Sequence, residues 1–281
     1  MVSLFDTRKP FLKRLTIYVF LCVMGLWFAS ALFWITGSLF FAGAFGNLIA
    51  GLAANALSVR IHERMRLPDV GLSWSAASRW NLMLGIAAGI AMAALVLVPP
   101  VLAGAAKFEH SNEALSLSGV TFVTLLLFTG SAGEELLFRG YGLQLLIQRI
   151  GAYTAILPIS MIFALMHGGN PHTTYLAIVN TAGFGALFGY ALIRSGDLWL
   201  PIGLHFGWNV ALPLFGVNVS GFEIKLTPVN MVWNAGIYWS GGEYGPEGSV
   251  LTSAALVGLG LFLWKAPIRR QPNPLLDTEP D

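Results

Sequence analysis

The chain has 281 residues, of which 56% are hydrophobic and only 11% are charged, and its mean hydropathy is +0.69. Soluble domains carry about 25% charged residues, so this composition excludes an ordinary soluble protein and predicts an all-α protein that crosses a membrane several times. The formal net charge of +2 gives no indication of nucleic acid as a partner; the expected partner at this point is the lipid bilayer.

Eight apolar runs approach the length of about 20 residues that a membrane-spanning helix needs. In chain order they are 15–36, 38–58, 82–104, 118–147, 152–167, 174–194, 198–216 and 249–265. Because the connections are mostly short, we expect residues 15–265 to form a single integral membrane domain. A cytoplasmic segment, 1–14, precedes it. The proline-rich residues 266–281 are expected to form a disordered cytoplasmic tail.

The basic residues favour one orientation of these spans. With the N-terminus in the cytoplasm, eight spans place 14 of the 16 lysines and arginines on the cytoplasmic side, and only Lys107 and Lys225 on the other. An excess of basic residues in short cytoplasmic loops is the usual orientation signal of membrane proteins. We therefore expect both termini in the cytoplasm.

Few ionisable side chains fall inside the predicted spans, where each costs about 2.5–3.5 kcal/mol on insertion scales and is a candidate for function. The main ones, with one carboxamide, are Glu134, Glu135 and Arg139 on the fourth run, His167 at the end of the fifth, and His205 and Asn209 on the seventh. At a rise of about 1.5 Å per residue, their estimated depths in the bilayer overlap. The groups from these three helices can therefore meet inside the membrane.

Such a cluster has a chemical use. A carboxylate that is removed from bulk water is a stronger base, and Glu134 together with His167 is suited to activate a water molecule. His205 and Asn209 lie one turn apart and can donate hydrogen bonds to the oxyanion that forms when this water attacks a peptide carbonyl. The pattern indicates hydrolysis of a peptide bond within the membrane.

Three further residues are predicted to support this cluster. Glu135 and Arg139 are four residues apart on one helix face and are expected to form a buried ion pair. Phe163 lies one turn before His167 and is expected to shape the pocket beside that histidine.

Two alternatives remain open on the residues alone. Glu134, His167 and His205 make a set of two histidines and one carboxylate, which resembles catalytic zinc sites; zinc is the alternative to an active site without a cofactor, which we expect. The alternative function is a transporter, or an immunity or scaffold protein, whose buried Glu and His handle protons or bind a partner. Transporters commonly contain internal repeats, and none is found in this sequence.

Three motifs occur in chain order on separate spans. E-E-x-x-x-R is Glu134 to Arg139, F-x-x-x-H is Phe163 to His167, and H-x-x-x-N is His205 to Asn209. This order over about residues 118 to 216 resembles the family of CAAX proteases and bacteriocin-processing proteases, called CPBP or Abi, which are intramembrane proteases.

The resemblance implies an eight-helix fold whose active site lies in a cavity within the membrane. By position, Glu134 and His167 look like the pair that activates water, His205 and Asn209 look like the oxyanion hole, and the buried ion pair looks like their support. The implied enzyme is a glutamate protease without an essential metal. Its substrate is expected to be a peptide or protein, such as a C-terminal tail or a membrane segment.

Overall fold

α-Helices make up most of residues 11–111 and 115–277, which the computed structural model describes. The helices are α1 (Phe11–Thr36), α2 (Leu39–Ser58), α3 (Ala76–Leu102), α4 (Leu117–Arg139), α5 (Tyr141–Ile150), α6 (Ala152–Met166), α7 (Tyr175–Ser195), α8 (Trp199–Leu214), α9 (Ile237–Ser240) and α10 (Val250–Lys265). The strands are β1 (Ala106–His110) and β2 (Val229–Trp233). Most of the expected segment 1–14, and residues 278–281 of the expected tail, lie outside the described residues.

Within the described residues, six helical segments are long and apolar enough to cross a membrane. They are Phe11–Phe28, Phe40–Glu63, Ala76–Leu102, Leu117–Ile150, Ala152–Gly169 and Tyr175–Ser195. The prediction of a helical protein that crosses the membrane several times is therefore confirmed. Each of the eight expected runs contains a helix, but α8 and α10 have only 16 residues. That length is about 24 Å, shorter than the hydrocarbon core of about 30 Å.

The fourth run differs from the single span predicted at 118–147, because the helix is interrupted between α4 and α5. Asn55 of α2 fills the interruption. Its Nδ2 donates to the carbonyl of Leu136 at 2.8 Å, and its Oδ1 accepts from the backbone N–H of Tyr141 at 2.6 Å. A Cβ at Gly140 would collide with the Asn55 side chain. One carboxamide thus forms hydrogen bonds with backbone groups at two helix ends. Without a partner, each of these groups would cost free energy in a membrane.

Helix α8 lies in the interior of the bundle and packs closely against α3. Glycines at the contact, Gly85 and Gly89 on α3 and Gly203 and Gly207 on α8, allow the two backbones to approach each other. A Cβ at Gly89 would lie 2.6 Å from the backbone nitrogen of Trp208. Small residues at such contacts are the usual means of close helix packing in membranes. The contact fixes α8, which carries two of the candidate site residues.

The loop between α8 and α10, residues 215–249, is called the long loop. Its strand β2 pairs in antiparallel fashion with β1, with Ala106 opposite Trp233. Nearer α8, residues 219–222 form a tight turn in which Val219 and Phe222 bond to each other through their backbones. This turn, called the 219–222 turn, lies at the candidate site.

Residues 266–277 are ordered against the bundle, which corrects the expectation of a disordered tail for the described part of this segment. Gln271 Nε2 donates to Ser78 Oγ at 2.8 Å, and Asn273 Nδ2 donates to the carbonyl of Gly196 at 3.0 Å. The prolines prevent a helix, but the polar side chains between them bond to α3 and to the connection between α7 and α8. These contacts offset the entropy lost on ordering.

We expect Gly89→Ala to lower the free energy of unfolding by about 1–3 kcal/mol, because the added methyl group has no room against the α8 backbone. Thermal unfolding in detergent measures this change. Gly258→Ala in α10 is the matched control, since no atom outside its own helix lies within 4 Å of a Cβ there. Equal stability of the two variants would show that the α3–α8 contact does not need its glycines.

Candidate active site

A cavity of about 390 Å³ opens among α2, α4, α8, the end of α6 and the 219–222 turn. Its wall is largely apolar. The residues that line it include Glu134, His167, His205 and Asn209, the four that the sequence singles out as catalytic candidates. Three separate helical elements thus place these side chains around one space, which is called the main cavity.

Glu134 faces both histidines. Its Oε2 lies 3.8 Å from Nε2 of His167 and 3.8 Å from Nε2 of His205. These distances are too long for direct hydrogen bonds and suit one water molecule that contacts the carboxylate and an imidazole together. Glu134 Oε2 is buried and has no hydrogen-bond partner among the described residues. A buried carboxylate oxygen in this state is ready to bind a polar ligand.

The orientation of His167 follows from its position at the C-terminal end of α6. Its Nδ1 lies 2.8 Å from the carbonyl oxygen of Phe163, one turn earlier. A carbonyl only accepts, so Nδ1 carries the proton of this bond. In the neutral imidazole, Nε2 then has a free lone pair, and this is the nitrogen that faces Glu134.

The carboxylate of Glu135 joins two donors from different parts of the site. Its Oε1 accepts from Nδ1 of His205 at 2.9 Å and from Nη1 of Arg139 at 3.3 Å. The three side chains are buried, and Nη2 of Arg139 also donates to the carbonyl of Gly185 on α7 at 2.9 Å. The expected ion pair is therefore present, and it holds His205 so that Nε2 faces Glu134.

Aromatic rings enclose this charged group. The ring of Phe163 lies 4.5 Å from the Arg139 guanidinium carbon and 4.6 Å from the His167 ring. Phe188 of α7 stacks on His205 with a centroid distance of 5.0 Å. The pocket-shaping position of Phe163 is expected from the sequence, whereas no motif in the sequence points to Phe188. The rings restrict the imidazoles to one orientation and face the cation favourably.

Asn209 reaches the main cavity one turn beyond His205. Its Nδ2 donates to Oγ of Ser131 on α4 at 3.4 Å. The carboxamide has a second N–H that this bond does not use. Ser131 is a site residue that the sequence analysis did not identify, since a small hydroxyl residue in an apolar helix is also a common packing residue.

Glu247 of the long loop is a second residue that sequence reasoning missed. It is buried; its Oε1 accepts from Nε1 of Trp208 at 3.2 Å, and its Oε2 accepts from the hydroxyl of Ser220 at 2.9 Å and from the Ser220 backbone N–H. Burial raises the pKa of Glu247, and the hydrogen bonds from Ser220 and Trp208 oppose this shift. Glu247 therefore ties the 219–222 turn to α8.

A second cavity of about 20 Å³, large enough for one water, adjoins the site. Glu247, Ser220, Asn209 and the two candidate histidines are among the residues that line it. No signal in the sequence placed Glu247 here, because the loop that brings it to the site has no regular pattern.

The zinc alternative has no preformed set of ligands. Among the residues that the structure describes, no group of three His, Cys, Asp or Glu side chains is arranged to hold a metal ion. The bonds of His167 to a carbonyl and of His205 to Glu135 use Nδ1 of each ring, and both Nε2 atoms face Glu134.

Residues 116–211 match the family of type II CAAX prenyl endopeptidases described as Rce1-like. The matched region extends from the start of α4 into α8 and includes every residue of the three motifs. It leaves α1 to α3 and the long loop outside. A search of curated proteins gives no match to the chain.

We expect Arg139→Ala to lower the free energy of unfolding by about 3–5 kcal/mol, because it removes the guanidinium that pairs with the buried Glu135 carboxylate and leaves His205 as the one described donor to that carboxylate. Thermal unfolding in detergent is the measurement. Arg149→Ala, which removes an exposed arginine from α5, is the control and should leave stability unchanged. An Arg139→Ala protein as stable as this control would contradict the supporting role of the ion pair.

Proposed function

We propose that the protein is an intramembrane endopeptidase with Glu134 as its general base, because residues 116–211 match the Rce1-like family of type II CAAX prenyl endopeptidases. The observation that carries this proposal is the buried Oε2 of Glu134, which lies 3.8 Å from an imidazole nitrogen of each of two histidines at the wall of an apolar cavity. A water molecule bound there is activated where a peptide substrate can reach it.

The first step is attack of this water on the scissile carbonyl. Glu134 takes one proton from the water as the oxygen forms a bond to the carbonyl carbon. His167 accepts a hydrogen bond from the same water at its Nε2, whose lone pair is free because Nδ1 donates to the Phe163 carbonyl. Two acceptors on different helices fix the position and direction of the nucleophile.

The tetrahedral intermediate carries a negative oxygen, which His205 and Asn209 stabilise. Doubly protonated His205 donates from Nε2, and the buried Glu135 carboxylate compensates the positive charge of the ring. Asn209 donates from its carboxamide nitrogen. Fixed donors in a site of low polarity are effective here, since they need little reorganisation during the reaction.

Collapse of the intermediate completes the reaction. The carbon–nitrogen bond breaks, and the leaving amine takes the proton that Glu134 had received. The products are a carboxylic acid, which keeps the second proton of the water, and an amine; the acid then passes this proton to the amine. Glu134 is again ionised for the next water. The substrate is a peptide or protein that enters from the bilayer, such as a C-terminal tail or a membrane segment. Both termini of the enzyme lie in the cytoplasm.

We expect Glu134→Gln and His167→Ala each to lower the rate of peptide cleavage by at least about 100-fold, the usual contribution of general base catalysis. The assay uses purified protein in detergent with a quenched peptide library that includes farnesylated C-terminal peptides. Glu109→Gln, which alters an exposed carboxylate of β1, is the control.

Both site variants should keep the unfolding temperature of the wild type. If the wild type cleaves nothing and Glu134→Gln instead abolishes proton-coupled uptake into vesicles, the protein is a transporter and the proposal is wrong.

We expect a chelator to leave cleavage unchanged, because the candidate donors form no metal site among the described residues. The measurement is a titration of an active preparation with chelator, followed by addition of zinc. Complete loss of activity that zinc restores would replace the glutamate mechanism with a zinc mechanism.

A further inference from the structure

Asn47 of α2 lines the main cavity but lies outside the region of the family match. Its carboxamide makes no hydrogen bond to any of the residues that the structure describes. Asn55, two turns further along the same helix, differs in this respect: its side chain bonds to Gly51, Leu136 and Tyr141. One asparagine of α2 thus holds the fold together, while the other presents free donors and an acceptor to the cavity.

The position of Asn47 is fixed relative to the candidate base. A Cβ at Gly133 would lie 2.7 Å from the carbonyl carbon of Asn47, so the backbones of α2 and α4 touch immediately before Glu134. On the other side of this contact, a Cβ at Gly51 would lie 2.7 Å from Cβ of Leu136. Two close approaches one turn apart hold α2 against α4, and Asn47 shares the cavity wall with Glu134.

The free groups of Asn47 match those of a peptide backbone. A carboxamide offers two donors and an acceptor, and a peptide unit offers one N–H and one C=O. A substrate must be unwound at the scissile bond before water can attack it, and in an apolar cavity its backbone groups then lack partners. An apolar lipid chain would make no use of a carboxamide.

We propose that Asn47 is a substrate-binding residue that forms hydrogen bonds with the peptide backbone next to the scissile bond. This inference rests on the proposed function, since it assumes that a peptide enters the main cavity. It extends the binding site to α2, so that the substrate lies between α2 on one side and the catalytic residues of α4, α6 and α8 on the other.

The test is the affinity for a fluorescent peptide that ends in a farnesylated Cys-Val-Ile-Met sequence. It is measured by fluorescence anisotropy with full-length Glu134→Gln protein in detergent, so that no turnover is needed. Asn47→Leu keeps the approximate size of the side chain and removes its hydrogen bonds. We expect it to weaken binding about tenfold. Thr121→Val is the control, because this exposed hydroxyl bonds to its own helix and does not line the cavity.

A second peptide identifies the bonded group. In a series of peptides, each amide N–H near the farnesylated cysteine is replaced in turn by an ester oxygen. One of these peptides should bind the protein that contains Asn47 about tenfold more weakly than the all-amide peptide does. In the Asn47→Leu protein, the same ester replacement should cause no further loss of affinity. Such non-additivity is the signature of a direct contact.

The inference is wrong if the proteins with and without the Asn47→Leu substitution bind the peptide with equal affinity. It is also wrong if neither protein binds the peptide measurably. The proposed function is tested separately by cleavage with the wild type. If the wild type cleaves but Asn47→Leu binds equally well, only the role of Asn47 fails. If the wild type cleaves nothing, the proposed function fails whatever the binding result.

Discussion

The site depends on one buried carboxylate that accepts hydrogen bonds from two directions. Glu135 bonds to His205 across the bundle and to Arg139 on its own helix. The negative charge of Glu135 allows the Arg139 guanidinium to be buried. In the proposed mechanism it also allows the His205 imidazolium to be buried. Buried charges are tolerated only when they are paired and hydrogen-bonded. Glu134, the neighbouring carboxylate, keeps an Oε2 without a hydrogen-bond partner among the described residues, as the base role proposed for it requires.

Close packing of the helix backbones also fixes the positions of the site residues. α8 carries His205 and Asn209 and is pressed against α3 through glycines, while α2 touches α4 at Gly133, directly before Glu134. Glycines at these contacts allow the backbones to approach closely, and a close-packed interior responds to small displacements. The distances among the catalytic candidates are therefore set by backbone contacts as much as by the side chains themselves.

Two segments of irregular structure complete the site and the bundle. The long loop brings Glu247 to α8 and places the 219–222 turn in the cavity wall. The segment 266–277 bonds to α3 and to the α7–α8 connection. In both cases polar side chains outside the long helices bond to groups of the bundle, so the loops stabilise the structure as well as connecting its parts.

The sequence by itself determined the class of fold, the approximate extent of the helices and the identity of the motif residues. It did so because apolar runs of this length have few stable forms in a bilayer and because ionisable residues within them are rare enough to stand out. Only the tertiary structure decided where α4 ends, since Asn55 lies about 80 residues before the interruption that it fills. The tertiary structure likewise added Ser131, Phe188, Glu247 and Asn47 to the site. Their positions follow from contacts between helices and loops that are distant in the chain, and local periodicity carries no information about such contacts.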